Sequence, residues 1–155
     1  MSDPLPYQFK FARLITQEYA LIENNFKQGK EININTNLSW GADKVHRVLG
    51  VGAKFIFDID NQPFIILKVE GQFIIEEETW NSIHQEDDGE LVVPKIFMAH
   101  LAMLVVGSTR GVLHTKLENT PFNQLMLPLI NVQSMFKEDV KISLQKKQEP
   151  SLRKT

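Results

Sequence analysis

No cysteine occurs among the 155 residues. That excludes disulfides, thiolate zinc sites, iron–sulfur clusters and cysteine nucleophiles together. It also suits a reducing compartment. Strong charge of one sign is missing too: 17 Lys and Arg stand against 19 Asp and Glu, for a net −2. The basic face of a nucleic-acid binder is therefore not expected. Residues 1–10 show no charged start followed by an apolar core, so no signal peptide is expected. The most apolar stretch, 96–106, is interrupted only by His100. It is about half of the roughly 20 residues that a helix needs to span a bilayer. The chain reads as cytoplasmic and soluble. No G-x-S-x-G elbow, no H-E-x-x-H, no internal repeat and no low-complexity segment is present.

What is present is ordinary globular material, 43% apolar and 23% charged. A domain of this length buries roughly two thirds of its unfolded surface and needs no staple. We expect a single domain over residues 1–145. The polar, net positive tail at 146–155 is expected to be disordered.

Period-two alternation predicts four strands in the first half. Over 9–21, Phe9, Phe11, Ile15, Tyr19 and Leu21 share a side that Arg13 and Gln17 break. Over 31–40, Ile32, Ile34, Leu38 and Trp40 oppose Glu31, Asn33, Asn35 and Asn37. Over 44–57, Val45, Leu49, Val51, Ala53, Phe55 and Phe57 align, with Arg47 as the exception. Over 63–75, Ile65, Leu67, Val69, Phe73 and Ile75 oppose Lys68, Glu70 and Gln72. The turn chemistry at 58–63 predicts a hairpin between the third and fourth strands. The pattern describes a sheet covered on one face and wet on the other.

The second half turns helical. A short helix is predicted over 76–84, an acidic loop over 85–90 and a long helix over 94–116, with Pro94 in its first turn. The long helix is apolar nearly all round, and one sheet face covers only one of its sides. The other side requires a second helix or a second subunit. Phe97, Leu101, Leu104 and Val105 are the candidate interface residues. Pro128 argues against a regular helix over 124–132. A short terminal helix is predicted over 134–144, with Met135, Phe136, Val140 and Leu144 on one face. The fold class is α+β: an antiparallel four-stranded sheet followed by a long helix and a short C-terminal helix.

Candidate chemistry is sparse. Gly50-Val51-Gly52-Ala53-Lys54 lacks the Lys-Ser/Thr and helix of a phosphate loop, and close packing in a strand accounts for its glycines better. Asp58 and Asp60 beside Asn61 fit side-chain turns better than a magnesium site. His84 with Glu86, Asp87 and Asp88 fits a solvated acidic loop better than a metal site. His100 and His114 share a face of the long helix but lie about 21 Å apart. His100 suits a hydrogen-bonded interface position better than a base. No catalytic residue, metal or cofactor is expected. Ten phenylalanines and five methionines are the larger anomaly. Phe26 and Phe122 fall in predicted loops, either as anchors or as an apolar surface that receives another chain.

Several residues in order resemble the SecB family of protein-export chaperones. Phe9, Arg13-Leu14 and Glu18 match the family's first strand, Phe26 its aromatic before the second strand, and Gly71 with Phe73 the end of its fourth. Ser108-Thr109-Arg110-Gly111 is similar to its helix segment. Gln124-Leu125-Met126-Leu127, then Ile130-Asn131 and Met135-Phe136, is similar to its most specific stretch. The resemblance spans roughly residues 7–140. The chain departs from the family in a longer segment between Gly111 and Gln124, in an early Pro128, and in Lys68 where an acid is expected.

The resemblance implies a cytoplasmic homotetramer, a dimer of dimers, that holds unfolded preproteins for the Sec translocase without ATP. It also implies contact with the translocase motor through Glu18 and Glu23 on the wet sheet face. Candidate client-binding residues, chosen as apolar and in or beside loops, are Phe26, Trp40, Phe122, Leu125 and Leu127. The alternatives are a dedicated SecB-like chaperone for one partner such as an antitoxin, or a small-ligand or metal-binding protein using the acidic loop near His84.

Overall fold

A computed structural model describes residues 7–85 and 89–144. The acidic stretch 86–88 and the tail at 145–155 lie outside the described residues, and with them the proposed tail and the metal reading of His84. Strands β1 (Phe9–Leu21), β2 (Asn33–Asp43), β3 (Val48–Ile59) and β4 (Gln62–Ile75) form one antiparallel sheet in the order β1-β4-β3-β2. Alternation assigns its faces as expected. Leu49, Val51, Ala53, Phe55 and Phe57 of β3 are buried beside Ile65, Leu67, Val69, Phe73 and Ile75 of β4. Ile34, Leu38 and Trp40 of β2 continue this inner face opposite Phe57, Ala53 and Val51. Asn33, Asn35 and Asn37 lie on the outer one. The β3–β4 hairpin closes through Asp60 and Asn61, at φ 53° and 65°. Two left-handed residues give the turn whose twist matches the strands it joins.

The departures have local causes. The register of β1 against β4 shifts between Phe11 and Arg13 and again between Thr16 and Glu18. Each bulge puts an extra residue on one strand and swaps the faces beyond it. Arg13 and Ile15 therefore pair with outer-face Gln72 and Glu70, while Leu14 pairs with Gly71 on the inner face. Val45 lies in the β2–β3 turn, fully outside the sheet. There the Asp43 carboxylate accepts the amides of Val45 (2.9 Å) and His46 (3.4 Å), and Arg47 adopts φ 53°. A third bulge, between Phe57 and Asp58, leaves Phe64 without a β3 partner and its side chain fully buried.

Helix α1 (Glu77–Ile83) follows β4 with Glu77 and Glu78 in its first turn, as its dipole favours. It leads into β5 (His84–Gln85) and β6 (Glu90–Val93). Helix α2 (Lys95–Leu117) comes next, and the chain ends its described course in β7 (Val140–Ser143). The predicted terminal helix is corrected. A short 3-10 turn occupies Val132–Met135, and Val140 and Ile142 alternate with exposed Lys141 in a strand that pairs with β6. Four apolar residues fit either period over so short a run, and pairing with Leu91 and Val93 decides for the strand. The small β5-β6-β7 sheet was not expected from the sequence.

Helix α2 is 23 residues long, enough by length and composition to cross a bilayer. Here Phe97, Leu101, Val105, Leu113 and Leu117 are buried inside the chain's own core. Its first turn is capped from a distance, the Lys95 amide donating to Asp139 Oδ1 at 3.0 Å. It ends before Asn119, at φ 63°. Its approach to the sheet is set by Gly71, where a Cβ would stand 2.8 Å from Val105 Cγ2.

Candidate functional site

After α2 the chain doubles back. Residues 118–139 run along the helix from its C-terminal to its N-terminal end as an irregular strap. The strap begins in an aromatic cluster: Phe122 packs against Phe26 (5.0 Å between centroids) and Phe64 (5.8 Å), and Phe64 against Phe57 (6.3 Å). Its middle is held by Arg110 Nη2, which donates to the Pro128 carbonyl at 3.2 Å. Farther on, Phe136 meets Trp40 of β2 at 5.7 Å. Its last residue, Asp139, caps α2. The strap thus runs on the β2 side of α2.

The five sequence-predicted client-binding residues fall along this course. Phe26 and Phe122 lie at the hairpin end and Trp40 lies roughly 20 Å away along the sheet, the length of six strand residues. Leu125 and Leu127 lie on the strap between them. In the single chain Phe122 is only 7% exposed and Leu127 is buried, while Phe26, Trp40 and Leu125 are half-buried. Phe26 and Phe122 therefore anchor the loops that carry them. Asn25 ties the same corner by donating to the Pro63 carbonyl at 2.7 Å.

The open apolar surface lies elsewhere, on residues outside the expected client-binding set. Leu129 is 94% exposed and Met126 65% exposed on the strap, and Met135 follows them. On α2, Ile96 and Met103 are exposed, with half-buried His100 and Leu104 beside them and open Gly107 and Gly111 farther along. On the inner face of β1, Phe11 and Leu14 are exposed because α2 lies over β3 and β4. Of the expected interface residues, Phe97, Leu101 and Val105 face the chain's own core and Leu104 is half-buried. The signal for the outer stripe was in the sequence as Gly107 and Gly111, one turn apart on a helix.

Two hollows flank Asp139. One of about 380 Å³ is lined by Tyr7, Phe9, Ile96, Phe97 and His100. Tyr7 stacks on Phe97 at 4.7 Å, and His100 stands edge-on to Phe9 at 5.8 Å. The other, about 420 Å³, lies beside Trp40, Met135 and Phe136. Both edges of the main sheet, β1 and β2, are unpaired among the described residues.

The outer face mixes Ile15, Ile56, Ile66 and Ile74 with polar side chains, several of which pair with one another. Asn37, Lys54, Lys68 and Glu18 form a row across the four strands. Lys54 Nζ lies 3.1 Å from Glu18 Oε1, and Glu70 accepts from Gln17 (3.0 Å) and Gln72 (2.9 Å). A Cβ on Gly52 would collide with Ser39 Oγ at 2.7 Å and meet Lys68 Cε at 3.5 Å, so the glycine gives these side chains room. Glu23 stands apart, exposed on a 3-10 turn beyond β1. Asp58 accepts from Asn35 (3.0 Å) and Asn33 (3.4 Å), and Asp60 pairs with Lys27 at 3.4 Å. These partners are side chains of β2 and of the loop before it, so the aspartates bond across to neighbouring segments and not to turn amides as expected. Among the described residues no three His, Asp or Glu side chains gather as a metal site. His84 packs on Trp80 at 6.2 Å, and His114 lies 3.9 Å from Glu118. Two titrations are displaced. The hydrogen bond from His46, with two turn amides, holds the Asp43 carboxyl below its ordinary range. Burial raises the Tyr19 phenol, which also lies under the Lys116 ammonium at 5.2 Å.

No family model matches the sequence, and no curated protein matches it. Among solved structures, the chain is similar to a SecB-like chaperone of Mycobacterium tuberculosis, determined in complex with a ChAD peptide from the HigA1 antitoxin. The match covers 79% of this chain and 90% of that one, at 10% identity and a TM-score of 0.50. The chain has the SecB-like fold, in a strongly diverged sequence.

Proposed function

We propose that this SecB-like fold works as an ATP-independent chaperone that holds unfolded polypeptides, preproteins bound for the Sec translocase among them. The observation that carries the reading is the pairing of an open sheet edge with exposed apolar side chains. β2 presents eleven residues of unpaired edge among the described residues, with half-buried Ile34, Leu38 and Trp40 on its inner face. An unfolded segment can add there as a fifth strand, its main chain supplying affinity without regard to sequence. Its apolar side chains would then bury against Ile34, Leu38 and Trp40, a non-directional gain that tolerates many sequences. Holding follows by mass action, because a ligand of the unfolded state opposes folding.

The open stripe of α2, with Phe11 and Leu14 of β1, supports self-association into the tetramer the resemblance implies. A second reading, a dedicated chaperone for one partner such as an antitoxin, is favoured by the outer face. Glu18 is engaged by Lys54, and Lys68 occupies the place of an expected acid, which weakens the case for motor docking. The test is binding and aggregation suppression without nucleotide, against several unrelated unfolded polypeptides. A general holdase captures most of them, a dedicated chaperone captures one, and capture of none rejects both.

A further inference from the structure

We propose that the strap is a built-in competitor for the client, closed by the clasp between Arg110 and Pro128, and that clients bind by displacing it. The inference rests on the holdase reading and concerns regulation of the same surface. The strap is itself client-like. Its apolar residues Phe122, Leu127, Val132 and Phe136 are buried, yet it forms neither a helix nor a strand between its 3-10 turn and α2. Its main chain is poorly bonded in the middle. Over residues 126–129 a single hydrogen bond is made among the described residues, the one that Arg110 donates to the Pro128 carbonyl. It does not pair with β2, although its ends meet Phe26, just before β2, and Trp40, on it.

The difference between strap and client follows. The strap contributes side-chain burial but no ladder to β2. A client added to that edge contributes both, so it can outcompete a tethered segment that starts with the advantage of being in place. A segment that few backbone hydrogen bonds hold is also the part of a fold that opens at lowest cost. The apparent affinity for client is reduced by the fraction of molecules in which the strap is closed. Arg110 sits seven residues before the end of α2 and reaches the strap at its proline, so among the described residues it is the one polar tie between helix and strap over that stretch.

The test uses the full chain and a labelled, reduced and carboxymethylated polypeptide that cannot refold. Arg110→Ala should bind it about fivefold more tightly, the factor set by one hydrogen bond of ordinary net strength. Amide exchange over residues 126–136 should accelerate in the same variant. Arg110→Lys, which keeps a donor, should return affinity toward wild type. Because the chain has no cysteine, Arg110→Cys with Pro128→Cys introduces the only two thiols. Joined by a short bismaleimide, they should abolish binding that the unjoined pair retains. If wild type binds and Arg110→Ala binds no tighter, or the joined pair binds as the unjoined one does, the clasp is refuted and the holdase reading stands. If wild type and every variant fail to bind, the holdase reading falls and takes the clasp with it.

Discussion

Phe122→Ala separates anchoring from client capture at the corner where the strap begins. The Phe122 ring is 7% exposed and packs edge-on against Phe26 at 5.0 Å and obliquely against Phe64 at 5.8 Å. Truncating a buried phenylalanine costs about 3–5 kcal/mol, the sum of lost transfer energy and an unfilled cavity. The corner borders solvent and can relax, so the low end applies, about 3 kcal/mol. The two lost ring contacts supply about 1–2 kcal/mol of that. For a chain of this size the midpoint of thermal unfolding should fall by about 6–12 °C. Urea denaturation should show the same loss with an unchanged slope. If Phe122 were instead a surface reserved for clients, its removal would leave the urea midpoint in place and weaken only client binding. A loss below about 1 kcal/mol together with reduced client affinity would refute the anchoring argument.

Gly71→Ala should destabilise by about 1–3 kcal/mol, since its methyl group would press on Val105 of α2 and on the Phe11 ring of β1. Val105→Ala in the same chain should recover part of that loss, and urea titration of the four-member cycle measures the coupling. The Asp43 carboxyl is held low chiefly by His46, so its contribution is complete above the ordinary carboxylate range and lost as pH falls through the depressed value. Asp43→Asn should therefore show a shallower fall in urea midpoint below about pH 4 than wild type, by a small margin because the turn is exposed.

Much of the fold was legible because period-two patterns survive over β2, over β3 from Leu49 to Phe57 and over β4 from Ile65 to Ile75. Asp60-Asn61 announces its own turn. Where an extra residue enters a strand the pattern misleads. Ala12 and Gln17 shift the faces of β1, so Ile15 reads as inner although it pairs with outer-face Glu70. The small sheet was hidden for another reason. β6 and β7 are four residues each, too short for alternation to outweigh a helical reading of Val140 and Leu144. At the candidate site, apolar type picked out Phe26, Phe122 and Leu127 but could not say whether they face inward. The exposed Met126 and Leu129 flank Pro128, which removes the regular structure that would have given them a periodic face. The clasp was illegible altogether, since Arg110 and Pro128 meet only when the chain doubles back along α2.

Amide hydrogen exchange of the protein, with and without a polypeptide that cannot fold, tests the central claim most directly. Edge addition predicts that amides of β2 between Ile34 and Trp40 slow when the polypeptide is present, in the absence of nucleotide. Binding that leaves β2 unprotected, or no binding at all, would contradict it.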